Sequence, residues 1–232
     1  MKRQFTVLAV LFLFVFTSAS ALAGGRPDKD YRDWFGHFAM GASLPTANLD
    51  DIVDDAFYLN GGATYWPNNW AMGINLDLGW AEHDVSRAAL DAINDAIDAD
   101  PGNMGSVTGG DVAVWSGSVN AIWGPDMGGS VGFYVIGGVG LDYIDYKLTT
   151  QGLVYYPPFC DPWWGWCIPG GVGPGTLIVA SDSTWKFAWN AGIGIDFELA
   201  SGSKLYLEAK YRLADTDRAS TGVVPIVLGF RW

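Results

Sequence analysis

Basic residues are scarce in this chain. Thirteen Lys and Arg stand against 25 Asp and Glu in 232 residues, for a formal net charge of −12. Nucleic-acid binding needs a basic footprint, so that class is excluded. Charge of either sign is thin, at 16 % of residues, while half the chain is hydrophobic; this excludes a disordered polypeptide. Cysteine is limited to Cys160 and Cys167, and histidine to His37 and His83. Two thiols with no imidazole nearby fall short of a metal site. Beyond residue 24 no long apolar run survives. The longest uncharged stretch, between Asp161 and Asp182, is broken by Pro162, Pro169 and Pro174, so no helix there crosses a membrane. The glycines at 137–140 and 170–175 lack the G-x-G-x-x-G or G-K-[ST] context of a phosphate loop.

What is abundant is glycine (31 residues) together with 12 Trp, 10 Tyr and 12 Phe, a mixture that favours β structure. The N-terminus reads differently. Lys2 and Arg3 precede an apolar run from Phe5 to Phe16, and Ala21-Leu22-Ala23 offers a cleavage site. Residues 1–23 are expected to be a secretory signal peptide; the run is short for the alternative, a retained anchor. That leaves 24–232 as a single domain.

Period two dominates the domain. Trp70, Met72, Ile74, Leu76, Leu78 and Trp80 alternate with Ala71, Gly73, Asn75, Asp77 and Gly79. The pattern returns at 184–199, 204–213 and 224–232, and more weakly at 33–44, 56–66, 111–123 and 130–147, giving eight strands. Tight turns near 67–69, 126–129 and 200–203 alternate with longer connections near 45–55, 83–110, 148–183 and 214–221. This is the layout of an up-and-down barrel with two unlike ends.

Which face points outward decides everything else. The polar face is mostly Gly, Ala, Ser and Asn, unlike a water-exposed surface. The apolar face is bulky at nearly every position and would overpack the interior of an eight-stranded barrel. Turned outward, the bulky face meets lipid and the small polar residues fill the lumen. About 11 residues at roughly 3.3 Å, tilted by about 40°, span roughly 25–28 Å, close to a bilayer's apolar band. Trp66, Trp70, Trp80, Trp123, Phe230 and Trp232 sit where interfacial aromatics belong.

These features resemble the small eight-stranded outer-membrane barrels of the OmpA/OmpX-like superfamily. The most specific pieces are Phe187–Asp196, Leu205–Tyr211 and the closing 225–232. The resemblance implies an all-β, antiparallel, up-and-down transmembrane barrel with short periplasmic turns and long extracellular loops. It implies the outer membrane of a diderm bacterium and no cofactor. It also implies recognition by the barrel-assembly machinery of a terminal aromatic signal, here Phe230 and Trp232; most relatives end in Phe.

Several groups of residues are candidates for function. Asp77, Lys186, Asp196, Glu198, Glu208, Lys210, Arg212 and Arg231 fall on the lumenal face. They read either as a gate or as a polar network that fixes the barrel's shape. His37 falls on the same face. Cys160 and Cys167 suit a disulfide in an exported protein, with a free thiol pair as the alternative. Between them, Trp163, Trp164 and Trp166 form either a contact site for a surface ligand or a loop folded onto its own rim. The second long loop carries a short helical pattern, with Ala89, Ile93, Ala96 and Ile97 on one face and Asp91, Asp95 and Asp98 on the other, capped by Asp84 or Ser86. Asp50, Asp51, Asp54 and Asp55 make an acidic patch that could bridge through divalent ions to lipopolysaccharide, solvation being the plainer state. His83, Asp84 and Ser86 are too local to form a catalytic relay, so no enzyme is expected. The expected role is structural or surface-interaction, in adhesion or envelope integrity, by a monomer. A narrow solute pore is the alternative, and a lipid-modifying enzyme a remote one.

Overall fold

The computed structural model describes residues 34–67, 71–99, 105–124, 131–160, 167–168, 170–199, 202–214 and 221–232. Eight strands close into an antiparallel barrel: β1 (Trp34–Ala47), β2 (Ala56–Tyr65), β3 (Met72–Asp84), β4 (Gly109–Trp123), β5 (Val131–Tyr156), β8 (Gly171–Glu198), β9 (Lys204–Ala214) and β10 (Thr221–Arg231). Each strand pairs with its neighbour in sequence, and β1 pairs with β10 to close the ring, from His37↔Arg231 to Ala47↔Thr221. One helix, α1 (Arg87–Asp98), follows β3. Ser86 caps it by accepting the Ala89 N–H at 3.2 Å. A two-residue pair, β6 (Phe159–Cys160) and β7 (Cys167–Ile168), lies beyond the end of β5.

The bulky face points outward. On β3, Met72, Ile74, Leu76 and Leu78 are exposed, while Asn75 and Asp77 between them are 2 % and 6 % exposed. A closed ring leaves no unpaired strand edge in that apolar zone, which is the condition for resting in hydrocarbon. Aromatic pairs border the zone at both ends. At the turn end, Trp34 packs on Tyr65 at 4.9 Å and Phe230 on Trp232 at 6.0 Å. At the loop end stand Trp80–Trp115, Tyr143–Trp185 and Trp189–Tyr211. Eight residues separate Met72 from Trp80, about 20 Å along the barrel axis, which approaches the ~25 Å apolar band once the rings are included. Trp70 lies outside the described residues.

The largest departure from the sequence reading is the connection expected at 148–183. It is not a loop. β5 and β8 run 26 and 28 residues and stay paired from Val131↔Phe197 to Tyr156↔Gly171, with one bulge between Leu148 and Thr149. They rise as a two-stranded ribbon well past the Tyr143–Trp185 girdle pair. Thr149, Thr150, Leu153, Val154 and Tyr155 on β5, and Thr176, Leu177, Ile178 and Val179 on β8, have the β-branched and aromatic character that holds an extended backbone.

The first loop also differs from expectation. Its acidic residues surround Leu49 and Val53, one helical turn apart, which turn into the barrel mouth. They pack with Val112 against Val85, Val114, Ile144 and Val223. Backbone bonds fix this plug: Val53 bridges Val85, the Asp54 N–H donates to Asp84 O at 2.9 Å, and Ser86 N–H donates to Ile52 O at 2.8 Å.

Candidate functional site

The lumen is filled in layers. Nearest the turn end, Arg231 is 2 % exposed and lies between two rings, with its guanidinium carbon 4.8 Å from the Tyr206 centroid and 5.4 Å from that of Tyr134. Its Nη1 is 3.8 Å from Asp196 Oδ2, which also accepts from Lys204 Nζ at 3.2 Å. Two glycines make room for the rings. A Cβ on Gly194 would come within 2.1 Å of the Tyr134 ring, and one on Gly229 within 2.3 Å of the Tyr206 ring.

The middle layer turns on Asp77 and Lys210. Lys210 Nζ donates to Asp77 Oδ2 at 2.7 Å and reaches Glu208 Oε1 at 2.9 Å. His37 Nε2 is 2.8 Å from Asp77 Oδ1, and Asn120 Nδ2 donates to Asp77 Oδ2 at 2.9 Å. Asn190 Nδ2 donates in turn to Asn120 Oδ1, and Tyr134 OH donates to Glu208 Oε2 at 2.8 Å. Above this layer Arg212 grips Asp142 through Nε and Nη2. Each of these four buried carboxylates therefore has a cation at hand, which removes most of the penalty of burying charge. A cavity of about 10 Å³, lined by Tyr58, Asp77, Ser118, Asn190, Lys210, Arg212 and Pro225, separates the layers; it has room for one water molecule.

The apolar plug closes the loop end. His83 is fully buried beside it, and its Nδ1 donates to the Asp54 carbonyl at 2.9 Å. His83 lies above the Trp80–Trp115 girdle, and its burial, partly offset by that carbonyl and by Asp55 and Asp84, holds its imidazole below the ordinary value.

Six of the eight charges assigned to the lumen from sequence are brought together here: Asp77, Asp196, Glu208, Lys210, Arg212 and Arg231. Two are not. Glu198 is the last residue of β8, paired with Lys204, and at that rim its side chain is exposed to water. Lys186 is only half-buried, opposite Asp142 on β5. Sequence reading missed Asp142 and the roles of Tyr134, Tyr206, Asn120 and Asn190. Inward parity was the available signal for Asn190 and Tyr206, which share a strand face with Asp196 and Glu208; β4 and β5 carried no residue assigned to the lumen, so Asn120, Tyr134 and Asp142 had no such anchor. Cys160 and Cys167 are directly opposed in the β6–β7 pair. Trp163, Trp164 and Trp166 lie outside the described residues, as does the segment 1–23.

Comparison with known proteins agrees with this architecture. Neisserial surface protein A shares 11 % identity over 86 % of this chain and 96 % of its own, with a TM-score of 0.48. Ail, the attachment invasion locus protein of Yersinia pestis, solved with the heparin analogue sucrose octasulfate, shares 13 % over 87 % and 100 %, at 0.44. OprG of Pseudomonas aeruginosa shares 13 % over 86 % and 94 %, at 0.39. No curated protein sequence matches the chain. The outer membrane protein beta-barrel domain matches residues 8–231. With nearly the whole sequence matched and eight strands closed around a polar lumen, the chain belongs to the outer-membrane β-barrel family.

Proposed function

We propose that this protein is a non-conducting outer-membrane barrel whose work is done at the cell surface by its loops and ribbon. The sealed lumen carries this reading. Ion pairs cross its layers, Leu49 and Val53 stopper its mouth, and the cavity lined by Asp77, Lys210 and Arg212 has room for about one water. A solute would have to break several buried charge pairs and unseat an apolar plug. The narrow-pore reading would need that rearrangement, and no observation favours it. No catalytic role is proposed.

The remaining features fit a surface role. The segment 1–23 directs export, and Phe230 and Trp232 present the assembly signal. The girdles contact lipid and lipopolysaccharide, and the barrel works as a monomer. A disulfide between Cys160 and Cys167 staples the outer end of the ribbon, where Trp163, Trp164 and Trp166 contact a surface ligand. The acidic loops disfavour an anionic glycan as that ligand. A photo-cross-linking amino acid in place of Trp164, activated on intact cells, should capture an external macromolecule. Adducts only with the chain's own barrel would contradict the surface role.

A further inference from the structure

Strand β10 carries a proline at a position where paired strands rarely tolerate one. Pro225 is fully buried, and β10 is paired on both sides, to β1 and to β9. The β1 ladder runs past it without a break, through Ser43↔Pro225. The β9 ladder does not: pairing holds at Val223↔Arg212 and again at Ile226↔Ala209, but not at the two positions between. Backbone groups alternate sides along a strand. The Ile226 C=O is directed at Gly41 on β1, so Pro225 turns toward β9. By the same rule the Ala209 C=O is directed at Gly192 on β8, so Lys210 turns toward β10. The register on either side of the break sets Lys210 opposite Pro225. Proline has no N–H to give, and the Lys210 carbonyl loses its ladder donor.

A second polar atom is left over at the same place. The Asp77 carboxylate can only accept, so Asn120 turns its Nδ2 toward it, at 2.9 Å. Asn120 Oδ1 is thereby aimed at Asn190, whose Nδ2 donates to it at 2.9 Å. Asn190 Oδ1 is what remains, buried and without a partner in the protein. A buried acceptor in that state is costly unless something donates to it. Asn190, Lys210 and Pro225 all line the cavity of about 10 Å³ within the lumen, together with Tyr58, Ser118 and Arg212. Donors are at hand on its wall. The Lys210 ammonium has three protons, of which Asp77 and Glu208 take two, and Tyr58 and Ser118 each bring a hydroxyl.

We propose that this cavity binds one water molecule that bridges the break in the β9–β10 ladder, donating to Asn190 Oδ1 and to the Lys210 carbonyl and accepting from a donor on the cavity wall. The water stands in for the N–H that Pro225 lacks and ties β9 to the middle layer of the lumen. Three hydrogen bonds are the usual complement of a buried water, and the cavity has the size of one. The surrounding charge favours water over an ion. Lys210 is held by Asp77 and Glu208, and Arg212 by Asp142, so neither is free for an anion, and both repel a metal ion. An apolar occupant would leave Asn190 Oδ1 unpaired. The site concerns the lumen alone and stands whether or not the loops and ribbon bind a partner.

The test uses the full-length barrel in lipid nanodiscs, with water itself as the probe, read by water-selective proton NMR cross-relaxation. The Asn190 side-chain amide and the Pro225 Hδ protons, which sit where the missing N–H would point, should both show contacts of the sign given by a water that tumbles with the barrel. Ser118→Thr adds a methyl group to the cavity while keeping the hydroxyl that accepts from Asn120, and should abolish both contacts. Ser118→Ala removes a hydroxyl that could relay proton exchange and should keep them. Should Ser118→Thr fail to fold, xenon dissolved in the wild-type sample decides: a wet polar cavity does not take it up, so the Asn190 and Pro225 shifts should stay in place. Replacing chloride by iodide in the buffer should leave them in place too. Missing contacts in the wild-type barrel, contacts that persist in Ser118→Thr or vanish in Ser118→Ala, or shifts induced by xenon would overturn the proposal. Shifts that follow the halide would assign the cavity to an anion and equally overturn it.

Discussion

The lumen and the ribbon are inversions of one another. Inside the barrel, charged residues are buried beside a few small apolar and aromatic ones such as Ala39, Tyr58 and Val227; above the membrane, apolar residues are exposed on an almost uncharged ribbon. Both reverse the usual arrangement of a water-soluble protein. In the lumen the buried carboxylates are matched, as Asp77 is by Lys210 and Asp142 by Arg212, while Arg231 lies against two aromatic rings and its Nε and Nη1 have no hydrogen-bond partner. On the ribbon nothing in the described chain covers Leu153, Tyr155, Val172 and Ile178.

The contrast predicts a gradient of mutational cost. Asp77→Ala should cost the most. It strands Lys210 beside Glu208 alone and takes from His37 Nε2 its carboxylate partner, so about 3–5 kcal/mol should be lost in thermal or urea unfolding from detergent micelles. Gly194→Val comes next. Its side chain collides with the Tyr134 ring and disturbs the bond to Glu208, an overpacking cost of about 1–3 kcal/mol in the same measurement.

A smaller effect is expected at the mouth, and it depends on pH. Burial lowers the His83 imidazole from its ordinary value near 6.5. The folded mouth therefore binds its proton less readily than the unfolded chain. The plug keeps full stability above that ordinary value and loses it as pH falls below. Protection of the Asp54 and Ser86 amides should drop between pH 7.5 and pH 5, and His83→Gln should flatten the dependence. Smallest of all is the ribbon: Leu153→Ser should change barrel stability by no more than about 0.5 kcal/mol, as a free surface position does. A large loss there would show that the ribbon is covered after all, and the inversion would fail.

Much of this was legible in the sequence, and the failures have physical causes. Period two in Met72–Trp80 fixed the orientation of β3, since only one of its faces is bulky. His37 was placed in the lumen by the same parity. The helix of the second loop followed from local spacing, with Ser86 one of the two caps the sequence offers. The ribbon was not legible, because Gly170, Gly171, Gly173, Gly175 and the prolines read as turn residues, yet cross-strand pairing overrides that preference once β5 and β8 are aligned. The plug was hidden by Asp50, Asp51, Asp54 and Asp55, which drew attention from Leu49 and Val53 between them. Asp142 escaped notice because its partner Arg212 is 70 residues away, a separation that no local pattern reveals.

The closure of the lumen can be measured directly. Purified, folded protein reconstituted into planar lipid bilayers should give no unitary current across the voltage range that the membrane tolerates, at neutral pH and high salt. Reproducible single-channel steps that change when Asp77 or Arg212 is replaced would mean the ion-pair layers open, and the view of a sealed barrel acting through its exterior would be wrong.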